Sequence, residues 1–170
     1  MRVGTGYDSH RFSASRPLVL GGIRIPDVPG LTGHSDGDAI LHAVTDALLG
    51  AASLGSIGER FPDDDPTYAG VDSAMLLEDA VGGVIEAGFH VVNVDITVIA
   101  EFPRIQQYSR SMEERIAGLL GVSAGDVSVK GKTNEGMGWI GREEGLAVIA
   151  AVLIDENNDL EAPDVSHRVR

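Results

Sequence analysis

Gly33-His34-Ser35-Asp36-Gly37-Asp38-Ala39-Ile40-Leu41-His42-Ala43-Val44-Thr45-Asp46-Ala47-Leu48-Leu49-Gly50 reads as a turn that opens into an amphipathic helix. Ser35 or Asp36 offers a side-chain oxygen to the free backbone N–H groups at the helix start. Gly50 is the residue type that most readily takes the left-handed conformation closing a helix. At about 100° per residue, Ile40, Val44, Ala47, Leu48 and Ala51 share one apolar face. His34, Asp38, His42 and Asp46 recur at every fourth position and form a slowly drifting polar stripe opposite it. Alone, such a stripe is an ordinary wet face. Met by a second group of ligand-type residues, it becomes one wall of a site.

The N-terminus supplies that second group. Residues 2–8 read as a strand running into Gly6-Tyr7-Asp8-Ser9-His10. In an extended chain Asp8 and His10 leave the same face, because side chains alternate. Carboxylate oxygen and imidazole nitrogen suit a first-row divalent cation. Asp8, His10 and His42 make three ligands, the count expected of a catalytic zinc that keeps a fourth position open. Asp38 or Asp46, one turn either side of His42, can accept from its second ring nitrogen and fix its tautomer.

The chain has 170 residues, 43% of them hydrophobic, which fits one domain with a real core. A formal net charge of −13 argues against nucleic acid, whose phosphates need a basic footprint. It leaves room for a small phosphorylated ligand, since a metal ion and a few Arg or Lys reverse the local potential. No run approaches the roughly 20 apolar residues of a membrane span, and Met1-Arg2-Val3-Gly4-Thr5-Gly6 does not resemble a signal peptide. The sequence holds no cysteine, hence no disulfide and no thiolate ligand. These features lead to the expectation of a cytoplasmic protein. Residues 1–155 are expected to form the single domain and 156–170 a polar C-terminal tail.

Further along, Leu18-Val19-Leu20, Gly21-Gly22, Ile23-Arg24-Ile25 reads as a hairpin. Residues 54–66, dense in Gly and Pro, read as a loop. Ser73 caps a second helix to Glu86, and His90 to Ala100 alternates as a strand. A third helix carries Ile105, Tyr108, Met112, Ile116 and Leu119 on one side. Val127 to Lys130 is a short strand, and Gly145 to Ile154 a last one, apolar on both faces. The expected fold is α+β: a four-stranded sheet with helices on one face, the other packed against copies of itself in a cyclic oligomer.

On these blocks the chain resembles the 2-C-methyl-D-erythritol 2,4-cyclodiphosphate synthase family. The resemblance runs from residue 1 to about 154. It is carried by Gly6 to His10, His34 to Asp38 with Leu41-His42-Ala43, Phe61 to Pro66, Asn93 to Asp95, Ala100 to Arg104, Lys130 to Glu135 and Gly141 to Gly145. It implies a homotrimer with sites between subunits and a zinc ion on Asp8, His10 and His42. A phosphate oxygen of a cytidine-diphosphate substrate would be the fourth ligand. A magnesium or manganese ion would sit on Glu135. The substrate's own 2-phosphate would attack the β-phosphorus, close a cyclic diphosphate and expel CMP.

By the same resemblance His34 and Thr133 would donate to phosphoryl oxygens of the transition state, and Ser35 would hold the 2-phosphate. Phe61, Pro62, Asp63, Asp64 and Asp65 would border the methylerythritol unit, with Gly58 beside them. Ser56 would meet the ribose, where the family often has an aspartate. Ala100, Glu101, Phe102, Pro103, Arg104, Ile105 and Gln106 would receive cytosine. Lys132 and Asn134 would flank Thr133 near the diphosphate. Trp139 either contacts the ligand or packs in the core or trimer. Arg142 either contacts the ligand, lines a trimer axis that can hold an isoprenoid diphosphate, or pairs with Glu143 or Glu144. Two other readings stand beside this one: a metal-dependent phosphoesterase, and a trimeric module with a structural metal.

Overall fold

One 19-residue strand, β1 (Arg2–Leu20), organises the computed structural model, which describes residues 1–62 and 64–157. Its first half pairs antiparallel with β5 (Gly145–Glu156), from Arg2 opposite Ile154 to Arg11 opposite Gly145. Its second half pairs antiparallel with β2 (Ile23–Leu31) across a turn at Gly21 and Gly22. Both glycines have positive φ, 61° and 72°, as a two-residue hairpin turn requires. Register shifts around Pro17 mark where the strand changes partner. Proline has no N–H to give a ladder, so it belongs at such an irregularity.

The expected first strand and the first arm of the expected hairpin are thus one continuous strand, and the sheet of the described residues has five strands, not four. Its order is β2-β1-β5-β3-β4, with β3 spanning Phe89–Ile99 and β4 Val127–Lys132. Only the β3–β4 pair is parallel, so the sheet is mixed. A register shift between Val91 and Asn93 swaps the buried phase of β3 from Phe89 and Val91 to Val94, Ile96 and Val98. The alternation expected from His90 to Ala100 therefore holds only beyond that point.

Helices α1 (Ala39–Ala52), α3 (Ser73–Glu86) and α4 (Ser109–Leu120) supply the other half of the core. A one-turn helix, α2 (Ile57–Arg60), interrupts the expected loop. The Ser56 hydroxyl accepts from Glu59 N–H while the Glu59 carboxylate accepts from Ser56 N–H, a reciprocal capping box.

α1 is buried at every position except His42, Asp46 and Gly50. Its cap is neither Ser35 nor Asp36 but Asp38, which accepts from Ile40 N–H and Leu41 N–H at 3.1 Å each. The same carboxylate accepts from Gly21 N–H at 2.9 Å and Gly22 N–H at 2.7 Å. Asp38 therefore ties the β1–β2 turn to the helix start from a fully buried position. Burial pushes its carboxyl pKa up, with the backbone N–H groups of Gly22, Gly21 and Leu41 holding the ionised form against it. Gly50 does not end the helix. Burial of Ala51 and Ala52 carries it one turn further, to a left-handed Ser53 whose N–H bonds Gly50 O.

Opposite the helices the sheet presents rows such as Val3–Leu153–Asn93 and Tyr7–Ile149–Thr97–Lys130. Val3, Tyr7 and Ile149 are exposed on this open face. Among the described residues no helix is long and apolar enough to cross a membrane.

Candidate active site

Gly4, Gly6, Asp8 and His10 alternate onto the helix face of β1. Two strand residues advance about 6.7 Å and four helix residues about 6 Å, so contacts between β1 and α1 repeat nearly in step. A Cβ on Gly4 would fall 2.0 Å from Ala47 O, and one on Gly6 1.9 Å from Ala43 O. Only glycine lets the helix lie this close. The next position along, Asp8, then meets His42.

The three ligand atoms form a small triangle. Asp8 Oδ2 lies 2.9 Å from His10 Nε2 and 3.1 Å from His42 Nδ1, and the two ring nitrogens are 3.2 Å apart. Tetrahedral zinc with bonds of about 2.0–2.1 Å holds its ligand atoms about 3.3 Å from one another. The triangle and its two-nitrogen, one-oxygen donor set fit that ion. Burial opposes ionisation of Asp8, but the adjoining imidazoles of His10 and His42 hold its carboxyl well below the usual range. Burial likewise pulls His10 down, and its bond to Asp8 more than offsets this, so its pKa is raised. The pattern is that of an anionic, partly buried cradle for a cation.

A cavity of about 340 Å³ opens over the triangle. His34, Ser35, Gly58 and Phe61 line it with the three ligands. Tyr7, Gly33, Ile57, Tyr68 and Leu76 complete its walls, and no sequence pattern marked Ile57, Tyr68 or Leu76. Phe61 and Tyr68 meet edge to face at 5.4 Å. Asp46 also faces the cavity, but its carboxylate accepts from Ile57 N–H at 3.1 Å and so anchors α2. Neither Asp38 nor Asp46 supports His42. The partners of His42 Nε2 are Ser35 Oγ and Ser73 Oγ, both at 2.9 Å. Ser73 was expected only as a helix cap, a role that Asp72 fills by accepting from Ala74 N–H.

The other expected residues gather elsewhere. Ser56 caps α2, and Pro62 and Asp64 follow in the adjoining loop. Asp65 caps the turn Pro66–Tyr68, accepting from Thr67 N–H at 2.9 Å. Asp63 and the tail beyond Asn157 lie outside the described residues.

Ala100 to Gln106 and Lys132 to Glu135 meet at the C-terminal ends of the parallel strands β3 and β4. Ala100 N–H donates to Lys132 O at 2.9 Å. Glu101 Oε1 accepts from Asn134 N–H at 3.0 Å and Gly136 N–H at 3.1 Å. Ile105 is buried, and Phe102 stacks on Phe12. Thr133 Oγ1 donates to Glu135 Oε1 at 2.6 Å. Trp139 is 37% exposed, which excludes the core reading, and lines a smaller cleft with Ser9, His10, Arg11 and Glu144. Arg142 pairs with Glu144 at 2.7 Å. Within one chain, among the described residues, the strand-end group does not line the cavity over the triangle.

Fold and site together define an α+β domain with a candidate three-ligand metal site, consistent with zinc, beside a polar-rimmed cavity. The chain belongs to the YgbB family, whose model matches residues 1–155. It is 60% identical over 154 residues to the 2-C-methyl-D-erythritol 2,4-cyclodiphosphate synthase of Gemmatimonas aurantiaca, covering 91% of this chain and 93% of that one. It is 52% identical over 159 residues to the synthase of the same name from Syntrophus aciditrophicus, covering 94% of this chain and 100% of that one. Among solved structures it is similar to the bifunctional IspDF of Campylobacter jejuni, with TM-score 0.89 and 42% identity over 92% of this chain and 42% of that one. It is similar too to a CDP complex of IspF from Plasmodium falciparum, with TM-score 0.82 and 34% identity over 92% and 97%.

Proposed function

We propose that this chain closes 4-diphosphocytidyl-2-C-methyl-D-erythritol 2-phosphate into 2-C-methyl-D-erythritol 2,4-cyclodiphosphate with release of CMP, a step of non-mevalonate isoprenoid synthesis. One observation carries this reading: the Asp8–His10–His42 triangle shares a cavity with His34 and Ser35, on a chain 60% identical to a synthase of that name.

In the reaction an oxygen of the 2-phosphate forms a bond to the β-phosphorus. The bond from that phosphorus to the CMP oxygen breaks, and CMP leaves with the electron pair. The nucleophile is already in the substrate, so the protein's work is to bend it and to screen charge. Zinc on Asp8, His10 and His42 would supply Lewis acidity toward a phosphoryl oxygen, and magnesium or manganese on Glu135 would screen the diphosphate.

The chain's own groups do the rest. Ser35 and His34, in the turn before α1, hold the 2-phosphate and donate to phosphoryl oxygens. Thr133 donates to the transition state, which requires its hydroxyl to turn away from Glu135. Gly58, Phe61 and residues 62–65 bound the methylerythritol unit, and Ser56 meets the ribose. Residues 100–106 receive cytosine, and Lys132 and Asn134 flank the diphosphate beside Trp139.

Because the strand-end group lies apart from the triangle within one chain, the complete site is read as shared between subunits of a homotrimer packed through the open sheet face. Arg142 lies on the side read as the trimer axis, where an isoprenoid diphosphate would compete with Glu144 for its guanidinium. Residues 1–155 are the catalytic domain in this reading.

The test is product identification by mass spectrometry in ¹⁸O-labelled water. The expected result is CMP and an unlabelled cyclic diphosphate. Incorporation of ¹⁸O into a linear phosphate would establish hydrolysis and overturn the cyclase.

A further inference from the structure

We propose that Asp36 and Ser73 form a hydrogen-bond relay that fixes the proton of His42 on Nε2, so that Nδ1 is presented bare to the metal. Both would be positioning residues of the metal site. The inference rests on the reading of Asp8, His10 and His42 as zinc ligands.

His42 faces two environments. Its Nδ1 is a corner of the ligand triangle, and its Nε2 lies 2.9 Å from each of two hydroxyls, Ser35 Oγ and Ser73 Oγ. A neutral imidazole carries one N–H, and only the other nitrogen has a lone pair for a metal. Two hydroxyls beside Nε2 do not decide which nitrogen is protonated, since a hydroxyl donates or accepts. A third group does. Ser73 Oγ lies 2.5 Å from Asp36 Oδ1, and an ionised carboxylate only accepts. The Ser73 hydrogen is committed to Asp36, so its lone pairs face His42 and Nε2 must donate. The direction of every bond follows: His42 Nε2–H to Ser73, Ser73 O–H to Asp36.

The carboxylate that sets this direction is itself fixed. Asp36 Oδ2 accepts from Ser73 N–H at 3.2 Å, and Oδ1 from Asp38 N–H at 3.1 Å. Its backbone N–H donates to Val71 O at 3.0 Å. The relay thus joins the turn before α1 to the first turn of α3. Ser73 is fully buried, where hydrogen bonds are electrostatically stronger than in water.

Ser35 gains a role from the same logic. Its oxygen accepts from Gly37 N–H at 3.2 Å, and a protonated Nε2 cannot accept its hydrogen. That hydrogen is left for Ser73 Oγ, 3.2 Å away, or for a phosphoryl oxygen in the cavity. The relay therefore prepares a metal ligand and an anion donor together.

The test is zinc affinity by competition with a chromophoric chelator, on wild type, Ser73→Ala, Asp36→Asn and the double variant. Each single variant should bind zinc about 10- to 100-fold more weakly, the usual cost of losing such a partner. The double variant should lose little beyond the worse single one, because the two act in series. Additive losses, or a lowered unfolding midpoint with zinc affinity within about twofold of wild type, would reduce both residues to structural supports and overturn the relay. Imidazole ¹⁵N spectra of the zinc-loaded wild type give a readout that needs no variant: the His42 Nε2–H should be protected from exchange, and an unprotected proton overturns the proposal. Wild type that binds no zinc would sink the metal reading as well. Wild type that binds while the single variants bind equally well would sink the relay alone.

Discussion

Gly6→Ala adds one methyl group, and the structure locates its consequence. The new Cβ would stand 1.9 Å from Ala43 O and 2.9 Å from Ala47 N, where ordinary contact begins at 3.4 Å. Both obstacles are backbone of α1 and cannot rotate away, so strand and helix must separate by roughly 1.5 Å. Overpacking of this kind costs about 1–3 kcal/mol of stability. The larger effect falls on the site. Asp8 and His10 ride on the strand and His42, next to Ala43, on the helix, so the 3.1 and 3.2 Å edges of the triangle both cross the widened gap. Metal–ligand distances tolerate only about 0.2 Å. Zinc affinity should therefore fall at least about 100-fold, further than the loss of a supporting hydrogen bond takes it. Chelator competition measures this and urea unfolding the stability. A Gly6→Ala protein that binds zinc like wild type would refute the claim that helix–strand spacing sets the site.

Gly82→Ala in α3 meets nothing within 4 Å and should instead raise stability by about 0.5–1 kcal/mol, a gain visible as a higher urea midpoint. Asp38→Ala removes the acceptor of four backbone N–H groups and should cost about 3 kcal/mol or more in the same measurement, with Asp38→Asn milder. Thr133→Ala should lower kcat about 10- to 100-fold with little change in KM, and an unchanged kcat removes Thr133 from the reaction. In the metal-free protein, the raised His10 pKa contributes stability below about pH 6.5 that is lost as pH rises through its folded value. The lowered Asp8 pKa contributes above about pH 4 and is lost on acidification. The pair's contribution should therefore be larger near pH 5.5 than near pH 8.5, and a urea midpoint difference that survives Asp8→Asn unchanged refutes this.

Period and spacing made much of the molecule legible. The four-residue rhythm of α1 and the Asp-x-His on the first strand picked out Asp8, His10 and His42 as candidates, the family resemblance joined them into one site, and the structure brings the three together. What escaped was set by distant partners. Asp38 sits in the polar stripe by count, yet it is consumed by a turn sixteen and seventeen residues upstream in the chain. Gly50 looked like a stop, but burial of Ala51 and Ala52 outweighs its local preference. Ser73 had no pattern linking it to His42, 31 residues away. Ser56-Ile57-Gly58-Glu59, by contrast, is a capping-box sequence whose local chemistry announces the single turn of α2. The union of the first strand with the hairpin was hidden by Pro17, which breaks the ladder without breaking the strand.

The pairing of β1 with β5 also has a consequence for the order of assembly during synthesis. Asp8 and His10 are made well over a hundred residues before the end of the strand that holds them in line, Gly145–Glu156. Loop closure over so long a separation makes early pairing entropically costly and folding slow. Until β5 arrives, β1 has only β2 beside it, and its Gly4–His10 half has an unpaired edge that α1 cannot satisfy. A nascent chain can therefore carry all three metal ligands, with His42 already synthesised, and still have no site. If the triangle is a zinc site, its geometry is complete only once β5 has paired with β1.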